Sequence, residues 1–393
     1  MLNSYYTKEI VEHQGVKVKN IKETDEIIEI HIEKQRGVHK CPMCGGMTDK
    51  IHDYRIQVIK ELPAFGKKVR LVLRKRRYAC ECGKRFTEDI EFLARYQRMT
   101  SKFVLKMLDA LRDTCSYASV AREFDVSTTT VIRYFNMVHH DKPKELPEAI
   151  GIDEFKGNTG GEKFNCIITD LTNGKILDIL RTRYQHDLID YFKQYSKEER
   201  AKVKYFVSDM YTTYAEIAKT YFPNAMYITD KYHWVRQAIW ALEKVRKEFQ
   251  KQLPAEQRRY FKHSRWLMLK HWDKLSGEEK QRLNVMLYYS SELSQAHYLK
   301  ELLYKINSAD SKDEACRLFK EWILNAECGD LPAFENCAAT YRHWYSSIIN
   351  SIKYPYSNGF TEGCNNKIKV LKRNAYGFSN FKRFRNRILF IFS

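Results

Sequence analysis

The chain has 393 residues, with 68 Lys and Arg against 49 Asp and Glu, so it can hold several domains, and its formal net charge of +19 points to a polyanionic partner. No apolar run approaches the ~18 residues that span a bilayer, and Met1 to Tyr6 shows no apolar signal core, so a cytoplasmic, nucleic-acid-facing protein is expected. Its ten cysteines are then expected to be reduced, and close pairs are read as metal ligands before disulfides.

Residues 16–33 alternate apolar and polar side chains (Val16 and Val18, then Ile28, Ile30 and Ile32), the pattern of half-buried strands. They lead into Cys41-Pro42-Met43-Cys44-Gly45-Gly46, and a second pair follows at Cys80-Glu81-Cys82-Gly83. Cys41, Cys44, Cys80 and Cys82 supply four tetrahedral thiolates for one structural Zn2+, with glycines that let each loop wrap, although Cys80-x-Cys82 is one residue tighter than the usual knuckle. Strand-like runs at Gln57 to Ile59 and Val69 to Leu73 complete a zinc ribbon over 1–95. So small a unit has little apolar core, and the metal is expected to carry much of its folding energy. Between residues 67 and 77 stand Lys67, Lys68, Arg70, Arg74, Lys75, Arg76 and Arg77 with no acid. Such a stripe repels itself unless an anion meets it, so phosphate contact is expected.

Residues 96–140 read as three helices. Phe103, Val104, Met107, Leu108 and Leu111 recur at helical spacing, Ser116 caps a second helix through Phe124, and Ser127 opens a third from Thr128 to Val138 after a short turn. This is a helix-turn-helix pattern, with Thr128, Thr129, Thr130 and Arg133 placed to meet a DNA groove. Residues 141–148, with Pro143 and Pro147 among charges, form a linker.

From 149 to 230 the predicted order is strand (149–155), strand (163–170), an Asn-Gly turn, strand (176–181), helix (188–195), strand (205–208), helix (213–221) and strand (225–229). Three antiparallel strands followed by alternating helices and strands give an α/β layer with the strand order of a ribonuclease-H-like core. Its first and fourth strands would lie side by side. Two apolar runs finish in Asp153 and Asp209, and such carboxylates can hold Mg2+ for phosphoryl transfer. Residues 231–354 are expected to be an all-α insertion holding all six tryptophans, most of them core, with one or two free to stack on an unpaired base. At its head, Asp230 and His233 share a helix face and are accessory candidates, placed below the main acids because metal chemistry on phosphate prefers oxygen ligands.

Residues 355–393 resume the core. Ser357, Asn358 and Gly359 form a turn, Thr361 is expected to cap a helix from Glu362 to Leu371, and after Glu362 the chain carries eight Lys or Arg and no acid. That lone carboxylate is the third member of the expected triad. Lys367, Lys369, Lys372 and Arg373, with Asn365 and Asn366 as weaker candidates, are expected to contact DNA phosphates.

The order of zinc ribbon, helix-turn-helix, Ile152-Asp153-Glu154-Phe155, Ser208-Asp209-Met210, Asp230-x-x-His233 and Asn358-Gly359-x-x-Glu362-Gly363-x-Asn365-Asn366-x-Ile368-Lys369 resembles the ISL-three group of bacterial insertion-sequence transposases over nearly the full chain. The tail Lys372-Arg373-Asn374-Ala375-Tyr376-Gly377-Phe378 fits the same group. The resemblance implies a nucleoid-associated DDE transposase with Asp153, Asp209 and Glu362 as the triad, Mg2+ as the working ion and terminal inverted repeats as the DNA recognised. Cleavage and strand transfer by two Mg2+ ions, on a dimer or larger assembly that pairs two element ends, would follow. Two other classes stay open at this point: a structure-selective nuclease or resolvase on a similar core, and a DNA-binding regulator without chemistry.

Overall fold

Cross-strand isoleucine, valine and leucine contacts build the amino-terminal sheet. In the computed structural model, which describes residues 15–93, 96–261 and 264–393, strands β1 (Val16–Glu23) and β2 (Ile27–Lys34) pair antiparallel. Strands β3 (His39–Lys40) and β4 (Met47–Thr48) form a short arm beside the cysteines. Strands β5 (Ile51–Ala64) and β6 (Lys67–Ala79) form a long hairpin, and β7 (Arg85–Thr87) pairs with the end of β6. Strand β6 is central, with β2 parallel on one side and β5 antiparallel on the other. The parallel register sets Ile28 beside Val69, Ile30 beside Leu71 and Ile32 beside Leu73, and all six are buried together with Ile59 and Leu93.

Strands β5 and β6 are far longer than the apolar cores at Gln57–Ile59 and Val69–Leu73 predict. The extra length follows from a two-residue turn at Phe65 and Gly66, both at positive φ (54° and 74°), which suits the twist of a hairpin. Each strand's polar end is held by its partner, so its own apolar period does not mark its limits.

The three helices expected after the sheet are α1 (Ser101–Asp109), α2 (Tyr117–Glu123) and α3 (Thr128–Phe135). Ser116 Oγ accepts from the Ser119 amide at 3.0 Å and Ser127 Oγ from the Thr130 amide at 3.2 Å, so both expected caps are present. Phe103, Met107, Val120, Val131 and Phe135 are buried among these helices.

The chain divides into two compact units, Met1–His139 and His140–Ser393. The second is built on a five-stranded sheet. Strands β8 (Ala149–Thr159), β9 (Glu162–Asp170) and β10 (Lys175–Leu180) run antiparallel, while β11 (Tyr205–Ser208) and β12 (Met226–Thr229) run parallel to β8 on its other side, in the order β10-β9-β8-β11-β12. Helices α4 (Gln185–Lys193), α5 (Lys197–Ala201) and α6 (Thr212–Tyr221) belong to the segments that link β10, β11 and β12. Leu188 and Phe192 of α4 and Tyr214 and Ile217 of α6 pack with Ile150, Ile152 and Ile168. A separate cluster joins Phe155, Ile167 and Ile179 to helices α15 (Gly359–Asn374) and α16 (Phe381–Phe392), so the sheet carries helices on both faces.

Between them the described residues form helices, from the long α7 (Lys231–Gln252), through α8 (Ala255–Tyr260), α9 (Ser264–Leu269), α10 (Gly277–Tyr288), α11 (Ser291–Asn307), α12 (Lys312–Glu327) and α13 (Pro332–His343), to α14 (Tyr345–Lys353). Trp234 and Trp322 are fully buried in its own core. Helix α14 binds the sheet's edge strand: Ser347 Oγ lies 2.7 Å from Thr229 Oγ1, and Asn350 Nδ2 donates to Tyr227 O at 2.9 Å. Among the described residues, no helix is long and apolar enough to cross a membrane.

Candidate active site and metal centres

Three neighbouring parallel strands deliver a row of aspartates. Gly151 of β8 pairs with Val207 of β11, and two residues further along each strand come Asp153 and Asp209. Ser208 pairs with Thr229 of β12, and the next residues are Asp209 and Asp230, whose amide donates to Ser208 O at 2.7 Å. Asp153 is not at a strand end, as the sequence suggested. Strand β8 continues to Thr159 because β9 pairs with it all the way, and Asp153 lies opposite Ile167. Only its parallel neighbour stops, which opens the cleft at that level.

Helix α15 brings the fourth carboxylate. Its cap is Asn358 rather than Thr361, and the helix starts at Gly359, three residues earlier than expected. Thr361 is fully buried, with its hydroxyl 2.7 Å from Thr169 Oγ1 and 3.2 Å from Asn358 Oδ1. Asn358 is the clamp: its amide donates to Asp230 Oδ1 at 3.0 Å and its Nδ2 to Ile152 O at 2.9 Å. Nearly two turns on, Asn365 Nδ2 donates to Asp153 Oδ2 at 2.8 Å. Glu362 lies between these two anchors on the same helix, and one ligand atom each from Asp230, His233 and Glu362 lies within 4.8 Å of the others. The accessory pair Asp230 and His233 therefore stands directly beside Glu362.

The carboxylates also act on one another electrostatically. Burial, with the charges of Asp209, Glu154 and Glu362, pushes the Asp153 carboxyl up to about 7. Burial, with Glu154 and Asp230, pushes Asp209 up to about 6 against the opposing pull of Arg183 and Arg236. Glu362 is raised by burial and by Asp230, and His233 is lowered chiefly by burial. Asp209 Oδ1 and Asp230 Oδ2 are buried with no hydrogen-bond partner among the described residues. Buried, unpaired carboxylate oxygens that repel one another fit a hard divalent cation, which would satisfy them and offset the repulsion.

Glu154 and Arg183 belong to the site and are not singled out by the sequence reading. Arg183 Nη1 reaches both Glu154 carboxylate oxygens at 2.6 Å, so Glu154 is committed to an ion pair beside Asp153. Glu154 follows Asp153 in the motif, but its partner lies 29 residues away on the loop after β10, and no local pattern signals the pair.

The second candidate metal centre is the cysteine cluster. Cys41 Sγ lies 3.7 Å from Cys82 Sγ and Cys44 Sγ 3.5 Å from Cys80 Sγ, close to the ~3.8 Å edge of a tetrahedron with ~2.3 Å Zn–S bonds. Gly45 and Gly83 take φ of 74° and 84°, as loops that fold back around a metal require. Hydrogen bonding to the backbone of Cys44 and Met43 draws the Cys41 thiol down to about 6, while hydrogen bonds from the neighbouring thiols hold Cys80 and Cys82 up, so without metal the charge of the cluster gathers on Cys41. The four cysteines fit one structural Zn2+.

With this geometry in place, comparison with known proteins gives three matches in chain order. Residues 37–82 match the zinc-finger of transposases IS204, IS1001, IS1096 and IS1165, residues 88–139 match the helix-turn-helix domain of transposase family ISL3, and residues 150–388 match the ISL3 transposase model. The last spans more than half of the chain. The chain belongs to the ISL3 family of transposases. It is 26% identical over 366 residues to the transposase for insertion sequence element IS1001 of Bordetella parapertussis, covering 91% of this chain and 89% of that protein. It is 22% identical over 292 residues to the transposase for IS1557 of Mycobacterium tuberculosis, covering 67% and 65%. A 56-residue stretch is 45% identical to part of a Lactococcus lactis protein named ATP-dependent protease, but this covers 14% of the chain. The family makes this transposase a DNA-binding enzyme that cuts and transfers DNA, as the motif order implied.

The predicted DNA contacts of this transposase fall into three groups, on α3, on α15 and in the basic stripe of β6. On α3, Thr129 and Arg133 are exposed and Thr128 and Thr130 half-buried, beside an open groove of about 640 Å³ lined in part by Lys60, Arg98, Ser127 and Arg133. On α15, Asn366, Lys367, Lys369 and Arg373 are exposed, whereas Lys372 is half-buried and donates to Lys156 O. Asn365 is buried and committed to Asp153, so it is a support for the acids instead of a phosphate contact.

The basic stripe needs a larger correction. Arg76 is 5% exposed; it donates to Lys34 O at 2.7 Å and pairs with Glu88 at 3.4 Å and Glu33 at 3.5 Å, so it holds the sheet together and does not face DNA. Lys67 pairs with Glu23, Lys68 with Asp125, Arg74 with Glu33 and Arg77 with Asp53, at 2.7 to 3.9 Å. Adjoining strands and the α2–α3 turn supply the acids that the run itself lacks. The self-repulsion that argued for phosphate is largely relieved within the fold. Arg70 and Lys75 are half-buried.

Proposed function

We propose that this transposase binds the terminal inverted repeats of its own bacterial insertion sequence, cuts the DNA there in a metal-dependent step and joins the freed end to target DNA, on a ribonuclease-H-like core. The observation that carries this reading is the row Asp153, Asp209 and Asp230 on neighbouring strands, with Glu362 and His233 gathered within 4.8 Å at its Asp230 end and with Asp209 Oδ1 and Asp230 Oδ2 buried without a hydrogen-bond partner among the described residues. The strand order β10-β9-β8-β11-β12, with its single change from antiparallel to parallel at β8, supports the core assignment.

Asp153, Asp209 and Glu362, with Asp230 beside them, would hold two Mg2+ ions. Bound there, Mg2+ supplies Lewis acidity at phosphoryl oxygens and a nucleophile at neutral pH. The chain's own residues do the positioning. Asn365 holds the Asp153 carboxylate, and Asn358 ties Asp230 and Ile152, within β8, to the first turn of the Glu362 helix. Lys367, Lys369 and Arg373 offer phosphate contacts along that helix, and Thr129 and Arg133 present groove contacts from α3. The zinc ribbon supports end recognition, and pairing two ends calls for a dimer or larger assembly on DNA.

The test is substitution. Asp153→Ala, Asp209→Ala and Glu362→Ala should each leave end-binding within about threefold and lower metal-dependent cleavage by about a thousandfold or more. Retained cleavage in any one removes that residue from the set.

A further inference from the structure

We infer that Tyr232, Arg236 and Trp240, in a row on helix α7, form a stacking subsite for an unpaired nucleobase of the DNA strand entering the acidic cleft. The inference rests on the DNA-cleaving reading above and adds to it a binding site outside the carboxylates.

The three residues are four apart, so they share one face of the helix and span about 12 Å along it. The Arg236 guanidinium lies 5.0 Å from the Tyr232 ring centre and 4.6 Å from that of Trp240. Tyr232 is 53% and Trp240 58% exposed, whereas Trp234 and Trp322, in the same helical insertion, are fully buried. The row begins at the cleft: Asp230 stands at the N-cap position of this helix and His233 is in its first turn. Arg236 follows six residues after Asp230, about 9 Å along the helix axis from the cleft. Arg236 Nε is buried and has no hydrogen-bond partner among the described residues.

These features favour one occupant. A guanidinium between two rings keeps its in-plane N–H groups for a phosphate while the rings present flat faces to a base. A base inside a duplex has both faces covered, so only an unpaired one can use the rings. The acids repel a bare phosphate strand, and Arg236 supplies positive charge at the point where strand and acids meet. Trp266, 44% exposed with Lys270 5.4 Å from its ring, has no comparable link to the acids and is not part of the subsite.

The test compares affinities of the full-length protein, in Ca2+ to hold back cleavage, for a blunt duplex and for the same duplex carrying a (dT)6 extension with either intact or abasic residues. Stacking of one base changes affinity by about 5- to 150-fold. Wild type should prefer the intact extension over the abasic one by a factor in that range. Trp240→Ala should lose most of that preference, Trp240→Phe should keep much of it, and all three should bind the blunt duplex equally. An unchanged preference in Trp240→Ala overturns the inference. So does a change in oligomeric state without a change in preference, which would make the row a contact between copies. Asp209→Ala separates this inference from the catalytic reading, since it should keep the base preference while losing Mg2+-dependent cleavage.

Discussion

Replacing Asp153 with Asn should stabilise the metal-free enzyme at pH 8. The Asp153 carboxyl is raised from 3.8 to about 7 by burial and by its acidic neighbours. The folded protein therefore binds the proton more tightly than the unfolded chain, and stability falls as pH rises through that window. At pH 8 the ionised group costs the folded state about 4 kcal/mol, and at pH 4.5 only about 1 kcal/mol. An amide side chain keeps one acceptor for Asn365 Nδ2 or the Glu154 amide, which Asp153 now receives at 2.8 and 2.7 Å, and loses the other, at about 1 kcal/mol. The net gain is about 3 kcal/mol at pH 8 and close to none at pH 4.5. For a unit of this size that is a rise in melting temperature of roughly 6 to 12 °C at pH 8. Calorimetry in magnesium-free buffer reads both, and added Mg2+ should stabilise wild type more than the variant. A variant that melts at or below wild type at pH 8, or gains equally at both pH values, would refute the electrostatic account of the cleft.

Three further outcomes follow from single side chains. Asn358→Ala removes the buried bond to Ile152 O and the acceptor for Thr361; denaturant titration should show a loss of about 2–3 kcal/mol, with cleavage reduced through misplaced Glu362. Gly151→Ala would bring a Cβ within 2.6 Å of Thr169 Oγ1 and 2.8 Å of Asn358 Oδ1, so unfolding should show about 1–3 kcal/mol of destabilisation from overpacking behind the site. Cys44→Ala should lower bound zinc from about one per chain to none by elemental analysis, and weaken DNA-end binding while leaving the melting of the 140–393 unit unchanged.

Much of the site was legible because its signals are local. The paired cysteines, the Ser116 and Ser127 caps and the apolar runs into Asp153 and Asp209 are read from a few consecutive residues; the cysteines cluster, both caps form and Asp209 follows the end of β11, whereas β8 runs on past Asp153 to Thr159. The order of strands made Asp153 and Asp209 neighbours before any coordinates. What escaped reading is non-local. Arg76 looks like one more base in a basic run until Glu33 and Glu88 arrive from other strands. Glu154 follows Asp153 with no local sign of its partner, Arg183, 29 residues on. Asn365 looks like a polar helix residue among lysines, yet the fold buries it on Asp153. Thr361 resembles a cap because a hydroxyl before a charged helix usually is one, but the helix already starts at Gly359, with the Glu362 amide donating to Asn358 O, and Thr361 is buried against Thr169.

The most direct measurement incubates the purified protein with duplexes carrying its own element's ends and a target plasmid, with and without Mg2+, and follows both cut strands and joined products on denaturing gels. Cutting at the element end and joining of the freed 3′ end to target, both dependent on Mg2+ and both lost in Asp209→Ala, is the predicted result. Joining that persists without any divalent metal, or in Asp209→Ala, would contradict the assignment of the chemistry to the cleft between β8, β11, β12 and α15.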